Sequence, residues 1–264
     1  MPTLPAELER EIFEFAVWSD RDNAAQKLNL SVVAQRVRFW VDLVFYRFVI
    51  ITSENAAKFL PLLDSPRYQG FFPRAVRTLC LQYEVKPEQA FRILSECTGV
   101  QVLACWVEEC RNNSWDLSLH LSRLPLRRLF IDFSRFSNIP FAPSTWLSDL
   151  THLDVYFWWG RPVFPETLGQ SVSRLPRLTH VGLSSSSAES HVEALCSSCL
   201  SLQVLVIIDL GDFDPNDYPP DPRIVVIEDD PHADFATTYG SSTDVWARAD
   251  AIMAQRRAAL NSKD

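Results

Sequence analysis

The feature that most constrains this chain is a recurrence. A short pattern, apolar, two variable, apolar, one variable, apolar, is found at Val76/Leu79/Leu81, Val100/Leu103/Cys105 and Leu126/Leu129/Ile131. It returns at Leu150/Leu153/Val155, Leu178/Val181/Leu183 and Leu202/Leu205/Ile207, with a degenerate seventh copy through Val225 and Ile227. The central residues 79, 103, 129, 153, 181 and 205 are separated by steps of 24, 26, 24, 28 and 24. Each copy has the alternation of a short strand. About 18 residues remain for the return, room for a turn and a short helix. Such units cannot bury their apolar side alone, so they stack strand beside strand. The fold class expected is α/β, with a parallel sheet and helices on one side of it.

A slot three residues ahead of each copy holds Pro73, Cys97, Arg123, Leu147, Leu175 and Cys199. Cys97 and Cys199 therefore read as small buried hydrophobes. His152 and His180 each follow Leu-Thr and share a slot, which explains them more simply than catalysis does. A doubly wound α/β domain is the competing architecture, but its strands are covered on both faces. Arg128, His152, Asp154, His180 and Gly182 flank the central positions here and fit a sheet with one open face.

The pattern of residues 70–230 resembles a leucine-rich repeat. The resemblance implies an irregular solenoid with its parallel sheet on the concave side. The ninth position of that family's pattern wants Asn or Cys and here holds Glu84, Glu108, Ser134, Trp158, Ser186 and Leu210. The internal ladder that steadies regular members is thus missing.

The first 50 residues lack the repeat. Thr3 can cap a helix, Pro5 suits its first turn and Glu7 suits the dipole there. Leu4, Leu8, Ile12 and Phe15 fall on one stripe, with Phe13 about 140° from its centre at ~100° per residue. Phe13 on the outer side needs a neighbouring helix or a partner. Leu28 to Ile51 adds a second apolar-rich stretch at mixed helical spacing. Leu4-Pro5-Ala6-Glu7-Leu8 followed by Ile12-Phe13 is similar to the opening of an F-box, and Val33-Ala34, Val37, Trp40 and Tyr46-Arg47 resemble F-box-like proteins of mushroom-forming fungi. Val37 stands near the customary aromatic position, and Trp40 follows three residues later.

The expected organisation is an F-box-like helical module at 1–52, a repeat solenoid at 53–232, and a C-terminal capping helix with its tail at 233–264. Val245, Trp246, Ala249, Ile252, Met253 and Leu260 give that helix one apolar face.

No catalytic, cofactor-binding or metal-binding residues are expected. The chain holds only 7 glycines, no Gly-Lys pair and no G-x-G-x-x-G or G-x-S-x-G, so no phosphate cradle or nucleophile elbow is signalled. Cys196-Ser197-Ser198-Cys199 has no second pair to complete a zinc site. Asp212-Phe213-Asp214-Pro215-Asn216 departs from a calcium loop at Asp217 and Arg223. The formal charge of −8 disfavours nucleic acid and anionic membrane as partners. All of it lies between Asp209 and Asp234, where nine acids face one base, and that run reads as a solvated loop. The chain opens without a signal-peptide pattern, and its most apolar run, Phe39 to Ile51, is too short to span a bilayer. A cytoplasmic or nuclear protein with reduced thiols is expected.

The resemblance implies a substrate-recognition adaptor of a cullin–RING ubiquitin ligase. Leu4, Pro5, Leu8, Ile12 and Phe13 match the motif that docks the ligase adaptor subunit, with Leu8 and Ile12 expected mainly to support its fold. The strand period places Trp106, Arg128, Phe130, Asp132, His152, Asp154, Tyr156 and His180 on the open face, to hold an unknown target protein. Aromatic and Arg side chains mixed with charge are common contents of a binding hot spot. The alternative is a repeat scaffold unrelated to ubiquitin.

Overall fold

A computed structural model describes residues 4–19, 24–107, 117–138, 147–156, 165–184, 189–209, 218–228 and 244–261. Three helices open the chain: α1 (Ala6–Ser19), α2 (Ala24–Ser31) and α3 (Gln35–Phe45). Strand β1 (Phe48–Ile51) follows, then α4 (Ser53–Leu63), α5 (Phe72–Ala75) and β2 (Thr78–Leu81). The remaining units are α6 (Pro87–Glu96), β3 (Val102–Cys105), α7 (Leu117–Leu121), β4 (Arg128–Asp132), α8 (Phe133–Asn138) and β5 (His152–Tyr156). They continue with α9 (Pro165–Val172), β6 (His180–Ser184), α10 (Glu189–Ser198), β7 (Val204–Asp209), β8 (Ile224–Glu228) and α11 (Val245–Asn261).

Among the described residues the eight strands form one parallel sheet whose spatial order is the chain order, β1 to β8. No reversal of order occurs, so the crevice of a doubly wound sheet is absent. The repeat sets the register: Leu79, Leu103, Leu129, Leu153, Val181 and Leu205 pair in one continuous row. Those residues, with Leu81, Cys105, Ile131, Val155, Leu183 and Ile207, point into the main core. Ala90, Ile93 and Leu94 of α6, Leu168 and Val172 of α9, and Val192 and Leu195 of α10 close it from the helical side. Cys97, Leu147, Leu175 and Cys199 of the upstream slot are buried in the same core. Arg123 is exposed, and its neighbour Leu124 is buried instead.

Two registers differ from expectation. The sheet starts earlier, because β1 pairs Val49 with Leu79 and so lies within the expected N-terminal unit. In β8 the core position is Ile224, paired with Leu205, and Val225 and Ile227 face the other side of the sheet. The step from 205 to 224 is shorter than the others, and a slip of one residue exchanges the two faces of a strand. Among the described residues no helix is long and apolar enough to cross a membrane.

Thr52 caps α4: its side chain accepts from the Asn55 N–H while the Asn55 side chain accepts from the Thr52 N–H. Tyr46, Phe59, Tyr68, Phe71 and Phe72 form an aromatic cluster where the N-terminal helices meet the sheet.

Candidate functional site

Two surfaces carry chemistry beyond the core. The first is on α1, and the structure inverts its expected orientation. Phe13 and Val17 turn inward and pack with Val37 and Val41 of α3. Glu9, on the same stripe, accepts two hydrogen bonds from the Arg36 guanidinium at 2.8 and 3.0 Å. The stripe expected to face inward is the open one: Leu8, Ile12 and Phe15 are 48%, 56% and 74% exposed, and Leu4 is exposed with them. Pro5 is exposed too, and its carbonyl accepts the Glu9 N–H at 3.0 Å as the helix begins. Leu28, Val32 and Val33 are further exposed apolar side chains on and after α2. Of the residues matched to a docking motif, Leu4, Pro5, Leu8 and Ile12 are accessible, and Phe13 is the one that supports the fold.

Why α1 turns this way is physical. Each of its two faces carries apolar residues, so the contact with α3 decides. Phe13 and Val17 pack on Val37 and Val41, and the Glu9–Arg36 pair fixes the rotation.

The second surface is the side of the sheet opposite the main core. The eight residues assigned to it do point there, but it is not open. Trp106, Arg128, Phe130, Asp132 and Asp154 are buried, and His152, Tyr156 and His180 are half-buried. At one end Trp106 meets Phe130 edge-on at 5.3 Å, packed with Cys80 and Ala104, and Tyr156 lies against this cluster. At the other end α11 lies across the sheet. Its Val245, Trp246, Ala249 and Met253 pack on Val204, Val206, Ile208, Val225 and Ile227. The expected cap is therefore a cover over the face. Arg248 donates to the Glu228 carbonyl, and Arg256 to the Pro222 and Ile224 carbonyls, so α11 also blocks the outer edge of β8.

The start of α11 is fastened by a polar clasp. Arg128 donates to both Asp244 oxygens, at 2.9 and 3.3 Å, and to Asp154 Oδ2 at 3.4 Å. Asp244 Oδ1 accepts the Trp246 backbone N–H, and the Trp246 indole N–H donates to Asp154 Oδ2 at 3.3 Å. The indole sits edge-on against His152 and His180 and over Gly182. His180 Nε2 lies 3.3 Å from Asp250 Oδ1. Burial raises the Asp154 carboxyl to about 6 against the pull of Arg128. Burial, then His180 and Arg128, lowers His152 to about 3. Asp244 ends Ser242-Thr243-Asp244, a helix-start pattern readable in the sequence, whereas Asp250 carries no motif.

Among the described residues Cys80, Cys97, Cys105, Cys196 and Cys199 are free thiols, and Cys80 and Cys105 on the sheet are buried. Among the described residues no group of His, Cys, Asp and Glu is placed to hold a metal ion. The Asp212–Asn216 segment and most of the acidic run lie outside the described residues. No protein-family model matches the chain, and no curated protein matches it.

Proposed function

We propose that this chain is a non-enzymatic adaptor: its N-terminal helices dock the small adaptor subunit of a cullin–RING ubiquitin ligase, and its repeat body holds a target protein. The observation that carries this reading is the apolar face of α1. Leu4 just ahead of α1, and Leu8, Ile12 and Phe15 on it, lie in water, while the inner face of the helix is already satisfied by α3. Exposed apolar side chains gathered on one side of a helix mark a surface that another protein covers. This face begins at the Leu4-Pro5-Ala6-Glu7-Leu8 sequence that resembles an F-box.

The sequential parallel sheet with a period near two dozen residues supports a leucine-rich-repeat solenoid as the body. On this reading the protein acts in the cytoplasm or nucleus. Its target meets the sheet side that carries Trp106, Tyr156, His152 and His180.

The test is a pull-down with purified ligase adaptor subunit on the full chain. Retention that is lost in Leu8→Asp/Ile12→Asp, with the melting temperature unchanged, supports the reading. A folded chain that retains no adaptor subunit overturns it and leaves an interaction scaffold unrelated to ubiquitin.

A further inference from the structure

We propose that α11 is a displaceable internal ligand of the sheet face, and that its seat takes a partner helix of the same chemistry. That helix has a carboxylate at its cap, an indole two residues on, and compact apolar side chains five and nine residues from the cap. The inference rests on reading this face as the target surface, and it names the class of partner.

The seat is built for those groups. Asp244 supplies the cap carboxylate and Trp246 the indole, while Ala249 and Met253 are the compact apolar positions. The seat meets them with groups from three adjacent strands: Arg128 on β4, His152 and Asp154 on β5, and His180 and Gly182 on β6. Gly182 is open by necessity, because a Cβ there would press on Asp154 and touch the Trp246 ring. An aromatic anchor and a paired Arg, both desolvated, are what concentrates binding energy at an interface.

The occupant is held without being optimal. Arg128 is shared between two carboxylates. Asp154 Oδ1 is buried and, among the described residues, meets no hydrogen-bond donor. A buried ion pair is weak evidence for stability, because desolvation offsets its Coulombic gain. Beyond Met253 residues 254–259 are exposed, and Arg256 donates to the Ile224 carbonyl at 2.7 Å.

The probe is a fluorescein-labelled synthetic peptide of residues 242–261, titrated into the full chain by polarisation. The Asp244→Ala/Trp246→Ala chain, its own helix released, binds the peptide at least tenfold more tightly than the wild-type chain. Adding Arg128→Ala removes that gain. A released chain that melts cooperatively yet binds no better than wild type overturns the proposal, as does a gain indifferent to Arg128. Should the released chain not fold, hydrogen exchange on the wild-type chain decides. Amides of 249–253 exchanging at least tenfold faster than those of 152–156 support displacement, and equal rates overturn it. The assay contains no ligase component, so its failure is distinct from failure of the adaptor pull-down.

Discussion

The imidazoles of His152 and His180 stack with their centroids 4.2 Å apart and their planes 12° from parallel. They occupy the same position in consecutive rungs, paired in the sheet register, each with the preceding threonine hydroxyl within 2.8 Å of Nδ1. Repetition of Leu-Thr-His thus builds a two-ring floor, and the Trp246 indole stands on it. Burial, and then the stacked His180 ring, hold His152 in its neutral state.

The pH dependence of stability follows from His152 and its neighbour Asp154. His152 titrates at about 3 when folded, below its ordinary 6.5, so its contribution is full above pH 6.5 and is lost as the pH falls toward 3. Asp154 titrates at about 6, above its ordinary 3.8, so its contribution is full below pH 3.8 and is lost as the pH rises through 6. The charged or titratable groups facing them are Arg128 on β4, His180 on β6, and Asp244 and Asp250 at and on α11. Between about pH 6 and 4 the two slopes oppose and largely cancel. His152→Gln leaves Asp154 alone, so relative to wild type this variant gains roughly 1 kcal/mol per pH unit on acidification. Asp154→Asn loses a similar amount over the same range. Urea unfolding at pH 4, 5, 6 and 7 for the three chains gives the comparison, in which the remaining carboxylates cancel. Parallel pH profiles for all three would refute the coupling.

The period, the strand sequence and the core row from Leu79 to Leu205 are legible in the sequence because each depends on residues within one rung and its neighbour. What was not legible depends on distant partners. β1 is hidden at the end of the apolar-rich run from Phe39 to Ile51, where Phe48-Val49-Ile50-Ile51 is apolar throughout and shows no alternation. The α1 stripe is ambiguous because Leu8 and Ile12 are as apolar as Phe13 and Val17; Arg36, 27 residues from Glu9, settles the rotation. An apolar face on α11 is readable, but its landing place is not, since Arg128 and Asp244 are 116 residues apart. The strand period gives the side of the sheet on which Trp106, Arg128, Phe130, Asp132 and Asp154 lie, but not their burial, which depends on what packs over that side.

The inversion of α1 makes adjacent residues behave oppositely. Phe13→Ala removes a ring packed against Val37 and Val41 and costs about 1–3 kcal/mol. Ile12→Ala, on the open stripe, changes stability by less than about 0.5 kcal/mol. Thermal unfolding of the two variants against wild type measures the difference. Equal losses would return Ile12 to the interior.

Gly99 is required by space. A Cβ at this position collides with the backbone carbonyl of Pro73 in α5 and with the Arg77 guanidinium, which itself donates to the Gly99 carbonyl at 2.8 Å. A backbone atom cannot rotate away, so α5 must shift against β2 and β3. Gly99→Ala is expected to cost about 1–3 kcal/mol in denaturant unfolding. A loss under a few tenths would show that α5 is free to move.

Thiol reactivity separates the cysteines by position in the rung. Cys80, Cys97, Cys105 and Cys199 are buried, while Cys196 is half-exposed on α10. Burial pushes the Cys97 thiol up to about 12 and that of Cys196 to about 11, and raises Cys80 and Cys105 as well. The thiolate is the reactive form, so none of these is an activated nucleophile and access decides the order. Maleimide on the native chain at pH 7, followed by peptide mapping, labels Cys196 first among these five. The other four react only at the rate of unfolding, and all five react alike in guanidinium. Early labelling of Cys97 or Cys199 would mean that the upstream slot opens to water, and the core row built on that slot would then be wrong.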